Sequence, residues 1–470
     1  MSTETTTRPR LSRAAHGRPA APVRIVHLGI GNFTRAHQAW YTEHAPDAAE
    51  WGIAAFTGRR PDTADALAPQ DGLYTLITRH AGGDAFEVIS SISAVHPASD
   101  TEAFLGYLRD PRTAIITTTV TEAGYMRGAD GHLALGHPDV AADIEDLQAG
   151  PTATVSTTPG KVVGGFLARR EAGAGAITVL PCDNLPDNGP TFRAVVEELA
   201  AQVDPTLQQW MADNVSWATS MVDRITPATT DAEREAVAVA EGYDDAYPVP
   251  TEPFSEWVVA GDFPAGRPTW EQAGVTVVDD VYPFEQRKLW MLNGSHTLMA
   301  YAATIVGHET VADAMADPTV RGWVEDWWDV AGTHLQVDAD DVRAYRAALV
   351  DRFSNPRVRH LLAQIAADGS QKIPVRILPA LRLERAAGRL PDGPVRALAA
   401  WVLHLQGHGA PVKDARSGDV VTAARGTVAE ATTTLLEMLG SDVLPDDELI
   451  SAVAARAREI LARKGTASRS

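Results

Sequence analysis

The sequence predicts an α/β fold: a doubly wound N-terminal domain followed by a second, mostly α-helical domain. Three observations predict it. A short β-like run, Arg24–Leu28, closes on the glycine turn Gly29-Ile30-Gly31. Up to about residue 280, short apolar runs of buried-strand type alternate with helical patterns. Beyond that point the apolar spacing is helical almost throughout. Strands alternating with helices imply a mainly parallel sheet covered on both faces. A chain of 470 residues exceeds the usual size of one hydrophobic core. The expected division is a disordered tail over 1–22, the α/β domain over 23–279 and the helical domain over 280–470.

Each element has its own signal. Glycines closing the first strand permit a tight turn and let a pyrophosphate approach backbone N–H groups at a helix N-terminus. Thr34 occupies the position where a third glycine is usual. Trp51–Thr57 is the next strand candidate and runs into Gly58-Arg59-Arg60-Pro61-Asp62, where an acidic residue would normally receive ribose hydroxyls. Two arginines there suit a 2′-phosphate, Asp62 suits the ribose, and exposed turn arginines are a third reading. NAD and NADP stay equally open. Phe86–Val95 alternates as one strand, and Ser99-Asp100-Thr101-Glu102 opens a helix through Leu108 with a capping box.

Ala114–Thr119 is a buried-type strand, and a Pro/Thr/Gly loop lies around 145–160. Ala176–Leu180 and Ser216–Val222 are further strands, with a helix from Thr191 to about Val203 between them. Asn184 and Asp223 fall just past strand C-termini, where such sheets line a ligand crevice. Val275–Tyr282 is the last strand-like stretch. Helices are expected at Val320–Ala331, Asp341–Arg352, Pro394–Leu405, with Pro394 at the first position, and Val420–Leu439. Asp368–Arg376 reads as a turn that brings Lys372 and Arg376 together.

Composition narrows the function. With 41 basic and 61 acidic residues the formal charge is −20, which argues against nucleic acid or an anionic membrane surface as a partner. The single cysteine, Cys182, forbids an intramolecular disulfide. No apolar run approaches the roughly 20 residues of a membrane span, and the first 22 residues lack the apolar core of a secretion signal. A cytoplasmic chain is expected.

Residues 285–296 carry the sharpest chemical signal. Projected at about 100° per residue, Glu285, Lys288 and His296 fall within about 80°, and Asn293 widens the arc to about 140°. Leu289 and Leu292 share that face. A cation, an amide, an imidazole and a carboxylate on the apolar side of a helix are costly to bury unless they serve one another or a ligand.

Several segments together resemble the mannitol dehydrogenase family, the long-chain, zinc-independent polyol and aldonate dehydrogenases. They are His27-Leu-Gly-Ile-Gly-Asn-Phe-Thr-Arg-Ala-His-Gln-Ala-Trp-Tyr, Thr121-Glu-Ala-Gly-Tyr, Cys182-Asp-Asn, Met221-Val-Asp-Arg-Ile-Thr-Pro, Glu252-Pro-Phe, Lys288-x4-Asn293-x2-His296 and Arg352-Phe-Ser-Asn-Pro. The resemblance implies a Rossmann-type N-terminal domain, a helical C-terminal domain and an active site between them. It implies that Lys288 is the general acid/base and that Asn293 and Asn184 hydrogen-bond the reacting oxygen. His296 would orient substrate, Glu285 would gate proton exit, and Asp223 and Lys372 would contact substrate.

Cofactor contacts would come from Gly29, Gly31, Asn32, Phe33, Arg60, Thr121 and Glu122, with NAD or NADP bound and no metal. Gln364, where mannitol 2-dehydrogenases carry arginine, and Arg376 after Lys372 resemble fructuronate reductases, which interconvert D-mannonate and D-fructuronate. A terminal carboxylate suits a guanidinium fork. Mannitol, arabinitol, sorbitol or mannitol 1-phosphate oxidation is the alternative, and a non-catalytic nucleotide-binding regulator a remoter one. The resemblance is compatible with a monomer.

Overall fold

The computed structural model describes residues 8–150, 154–440, 442–443 and 445–467. They form two compact units divided between Tyr282 and Pro283. The strands of the first unit are β1 (Val23–Leu28), β2 (Gly52–Phe56), β3 (Tyr74–His80), β4 (Gly83–Ile89), β5 (Ile92–His96), β6 (Ile115–Thr118), β7 (Ile177–Pro181), β8 (Val215–Trp217), β9 (Thr219–Asp223), β10 (Val249–Thr251), β11 (Glu256–Ala260) and β12 (Thr276–Val277). Six build one sheet in the order β5-β2-β1-β6-β7-β8, every pair parallel. The chain winds outward from β1 through β2 to β5, then returns to lay β6, β7 and β8 on the other side. The strand order therefore reverses between β1 and β6, the crevice position of a Rossmann-type sheet.

Two cores sandwich this sheet because successive side chains point to opposite faces. Val26, Leu28, Ala54, Phe56, Ile116 and Val179 pack one way, against the helices Thr101–Arg109, Thr158–Ala172 and Asn188–Val203. Ile25, Ile53, Ala55 and Ile115 pack the other way, with Tyr41, Trp257 and Trp270. Both faces of the sheet are covered, so apolar residues from its strands enter both cores.

Three strands depart from expectation. The stretch 86–95 is two strands: β4 pairs with β3 in a hairpin, while β5 edges the large sheet. The break falls at two buried serines whose polar groups are bound elsewhere, since Ser90 N–H donates to Glu43 at 2.9 Å and Ser91 Oγ to the Ala39 carbonyl at 2.7 Å. The stretch 216–222 also splits: β8 stays in the large sheet and β9 pairs antiparallel with β11. Val275–Tyr282 yields only the exposed two-residue β12.

The segment 8–22 is ordered, against the expected disordered tail, while residues 1–7 lie outside the described residues. Leu11 is fully buried. Arg13 donates to the carbonyls of Ser90 and Ile92 at 2.8 and 2.6 Å, and Arg18 pairs with Glu43 at 3.0 Å. The arginines that looked tail-like in sequence thus satisfy carbonyls where the chain crosses between sheets.

The second unit is helical. Its central helix, Asp392–Leu405, is buried from Gly393 through Leu405, as its apolar circumference requires. Pro394 is its third residue, not its first, and the same freedom from a backbone donor applies there. Pro318–Thr333 and Ala339–Phe353 extend the expected helices slightly. The stretch 420–439 is two helices, Ser417–Ala423 and Val428–Met438, broken at Gly426, which has φ +92°. A Thr427/Glu430 capping box restarts the second.

Asp368–Arg376 is not a turn: Gly369–Arg376 is a helix that accommodates Pro374. Its start is held from outside, because Asp414 accepts from Ser370 N–H at 2.9 Å and Ser370 Oγ at 2.6 Å. Among the described residues, no helix is long and apolar enough to cross a membrane.

Candidate active site

The glycine turn after β1 is built from two glycines with different duties. Gly29 has φ +98°, and a Cβ there would overlap the Thr119 carbonyl oxygen and stand 3.0 Å from its carbon. Gly29 and Ile30 N–H both donate to the Phe56 carbonyl at 2.9 Å, which fixes the turn to β2. Gly31 is different: a Cβ there would meet nothing nearer than 3.9 Å. That open face is the room a pyrophosphate needs to approach the backbone, so the turn fits a dinucleotide.

Thr34 explains the missing third glycine. Its hydroxyl bonds His27 Nε2 at 2.8 Å and also meets Thr119 Oγ1, while His27 Nδ1 bonds Thr117 Oγ1 at 2.8 Å. A buried polar zipper thereby joins the helix Asn32–Ala36 to β1 and β6 where glycine would allow bare close packing. Asn32 is largely occupied by structure, donating to the Pro227 carbonyl and accepting from Arg35, both at 2.7 Å. Phe33 stacks on His37 at 4.9 Å.

Burial pushes the His27 imidazole down from 6.5 to about 3. Between those values the unfolded chain binds the proton and the folded chain does not. The stability that neutral His27 contributes is therefore complete above pH 6.5 and is lost as pH falls toward 3. The slope is about 1.4 kcal/mol per pH unit. Unfolding temperature measured between pH 7 and 5 should fall more steeply for the wild type than for His27→Gln; parallel curves would remove this role.

The remaining cofactor candidates occupy two other loops. Arg60 is exposed and 3.5 Å from Asp62, so the loop after β2 presents a cation and a carboxylate together. Thr121 caps the 3-10 turn Glu122–Tyr125, in which Glu122 is exposed. Sequence reading missed the residue that holds this turn. Asp183, nine-tenths or more buried, accepts from Thr118 Oγ1 and Tyr125 OH at 2.6 Å and from Val120 N–H. Burial raises its carboxyl. It follows Cys182 in the quoted Cys-Asp-Asn segment, and its immediate neighbour Asn184 is exposed.

Asn188 locks the same loop, donating to the Asp183 and Ser220 carbonyls at 3.0 and 2.6 Å and accepting from Ser220 N–H at 3.1 Å. Asp223 is buried at the end of β9, opposite Glu256 of β11. Next to it, buried Arg224 donates to the carbonyls of Ala36 and Glu252 and lies 4.8 Å over the Trp40 ring.

In the second unit the Lys288 helix is not a regular α-helix. Tyr282–Arg287 and Gly294–Ile305 are α-helical, but Lys288–Asn293 between them is a π segment. The Gly294 N–H reaches the Leu289 carbonyl, five residues back. The regular 100° projection over 285–296 therefore does not hold. In an i→i+5 turn, Lys288 and Asn293 stand one above the other on one side of the helix, where a regular helix would separate them by about 140°.

His296 is buried three residues on, its ring 4.8 Å from Phe353 and 4.9 Å from His360. His360, half-buried, escaped sequence reading because a lone histidine in a loop carries no pattern. Burial, then Arg352, lowers its imidazole. Arg376 reaches back to the same region, its guanidinium 3.3 Å from the Thr297 hydroxyl. Its Nε is buried with no partner, and burial holds it down to about 10. Lys372, one turn earlier, spends two of its N–H groups on the carbonyls of Ile365, at 3.0 Å, and Ala367. Burial lowers its ammonium and Arg376 lowers it further.

The structure thus groups Gly29, Gly31, Asn32 and Phe33 with Thr121 and Glu122 at the ends of β1 and β6, with Arg60 on a separate exposed loop. In the second unit Arg376 reaches Thr297, next to His296, on the helical stretch that carries Lys288 and Asn293, while Lys372 is bound to the Ile365 and Ala367 carbonyls; Glu285 precedes Lys288 by one turn. Among the described residues, no three His, Cys, Asp or Glu side chains are placed to hold a metal ion.

Known proteins share this architecture. Residues 23–272 match the mannitol dehydrogenase Rossmann domain, and residues 280–461 match the mannitol dehydrogenase C-terminal domain. The chain is 39% identical to D-mannonate oxidoreductase of Escherichia coli K12 over 394 residues, 82% of this chain and 80% of that one. It is 37% identical to mannitol 2-dehydrogenase of Cereibacter sphaeroides over 400 residues, 83% and 82% of the two chains. The ternary complex of Pseudomonas fluorescens mannitol 2-dehydrogenase with NAD and D-mannitol superposes with a TM-score of 0.77 at 31% identity, covering 99% of this chain and 97% of that one. A glycine turn at a strand-order reversal accords with these matches, and the matches over both units lead to one conclusion: the chain belongs to the mannitol dehydrogenase family of oxidoreductases.

Proposed function

We propose that this protein transfers hydride between NAD or NADP and a secondary alcohol of an open-chain sugar derivative, favouring D-mannonate and D-fructuronate. Arg376 carries the substrate reading. Among the described residues no carboxylate forms an ion pair with it, and its hydroxyl partner Thr297 adjoins His296. A guanidinium that is half-buried without an anion is costly, and a terminal carboxylate would supply the missing charge bidentately.

The bound nicotinamide supplies the hydride acceptor. Lys288 takes the hydroxyl proton in oxidation and returns it in reduction. Asn293, aligned with it, and Asn184 donate side-chain amide hydrogens to the reacting oxygen. His296 orients a substrate hydroxyl, Asp223 and the remaining N–H of Lys372 bind others, and Glu285 passes the proton on to solvent. Gly29, Gly31, Asn32, Phe33, Thr121 and Glu122 seat the dinucleotide. Arg60 and Asp62 leave the choice between NAD and NADP to measurement.

The test is the nicotinamide absorbance change with D-mannonate, D-mannitol, D-arabinitol, D-sorbitol and mannitol 1-phosphate, each against both cofactors. Arg376→Leu should lower kcat/KM for mannonate by about 10- to 150-fold, the worth of a hydrogen bond to a charged group. Turnover of mannitol should stay within about threefold, well under the 1.4 kcal/mol of a tenfold change. Equal losses on both substrates would remove the carboxylate reading and favour a polyol.

A further inference from the structure

Forming a π segment inside a helix leaves a carbonyl without its ordinary donor. In a regular helix the Trp290 carbonyl would accept from Gly294 N–H, four residues on. Here that N–H has gone to the Leu289 and Met291 carbonyls. The vacancy is filled from a different helix: the Trp327 indole N–H donates to the Trp290 carbonyl at 2.8 Å, and the adjacent Trp328 indole to the Met291 carbonyl at 3.0 Å. Both tryptophans are essentially fully buried.

The approach is cleared by two glycines. A Cβ on Gly294 would stand 2.7 Å from the Trp327 Nε1, and one on Gly393 of the central helix would stand 2.8 Å from the Trp327 Cα. Trp327 is thus held in a slot from its backbone side and from its ring side. Buried carbonyls are rarely left unpaired, so the two indoles stabilise the π register relative to the regular one.

We propose that Trp327 and Trp328 are positioning residues: their indole N–H groups hold the π turn that sets Lys288 and Asn293 on one side of the helix. The inference rests on the functional reading in which those two groups act on the same oxygen. Without the indoles, the helix gains by returning Gly294 N–H to Trp290, and Asn293 then turns away from Lys288. Trp327 has the larger role, because the Met291 carbonyl also accepts from Gly294 N–H and Ser295 Oγ.

Phenylalanine removes the N–H while keeping an aromatic ring. Trp327→Phe should lower kcat about 10- to 100-fold, the cost of misplacing catalytic groups by about an ångström. KM for the cofactor and for the sugar substrate should stay close to wild type, and Trp328→Phe should lose less. Trp323→Phe, on the same helix, serves as the control for a lost indole away from the π segment and should keep its kcat.

Wild-type kcat in Trp327→Phe, with only the melting temperature lowered, would overturn the positioning role. Should Trp327→Phe fail to fold, Trp328→Phe reads the same effect at Met291, and unchanged kcat there overturns it. Lys288→Ala is assayed alongside. Undiminished turnover in Lys288→Ala would sink the functional reading and this inference with it. An inactive Lys288→Ala beside a fully active Trp327→Phe would overturn the positioning role alone.

Discussion

Lys288→Ala should lower kcat by about 10²- to 10⁴-fold, the usual worth of a positioned general base. Alcohol oxidation cannot release hydride from carbon unless the hydroxyl proton leaves, and Lys288 is the ammonium on the π segment that also carries Asn293. Half-buried and long, the side chain contributes little to the core, so melting temperature should move by a few degrees at most. Cofactor affinity, read by fluorescence of the reduced nucleotide, should be unchanged, because the glycine turn lies in the first unit. Turnover near the wild-type rate would show that another group takes the proton.

Substituting the two glycines of the turn should separate stability from binding. Gly29→Ala places a β-carbon at φ +98° against the Thr119 carbonyl. The left-handed conformation costs about 1–2 kcal/mol, and overpacking against a backbone group that cannot rotate away adds about 1–3 kcal/mol. A total of about 2–5 kcal/mol should appear as a lower denaturation midpoint. Gly31→Ala has open space around the new methyl, so the fold should be unaffected. The methyl would instead occupy the pyrophosphate's approach, and cofactor affinity should fall by at least about tenfold, 1.4 kcal/mol. A Gly31→Ala variant that binds the nucleotide normally would place the phosphates elsewhere.

The two-part architecture was legible because both of its periodicities are strong. The doubly buried strands β1, β6 and β7 appear as short runs rich in Ile, Val, Leu and Thr, and the helices Pro318–Thr333 and Asp392–Leu405 show their packing directly in their spacing. Strand breaks were hidden, because neither Ser90-Ser91 nor Ala218 supplies a glycine or proline turn signal where the chain changes sheet. The segment 368–376 misled for the converse reason: Gly, Ser and Pro signal a turn locally, and only Asp414, 44 residues away along the chain from Ser370, holds that stretch as a helix.

Within the site, residue identities could be read from spacing and from the family segments, but their supports could not. Asp183 ties three groups from other elements, and Thr34 works only because His27 and Thr119 face it. Such partners are set by the fold and leave no local pattern. The helix at 285–296 shows the division most clearly. Local chemistry specified that a lysine, an amide and an imidazole share one helix. Whether Lys288 and Asn293 share one side of it depends on a hydrogen-bond register, and an isolated helix would favour the regular one. Tertiary packing decided for the π turn, because Trp327 brings a donor to the Trp290 carbonyl, which that register deprives of Gly294 N–H, and Trp328 binds the adjacent Met291 carbonyl.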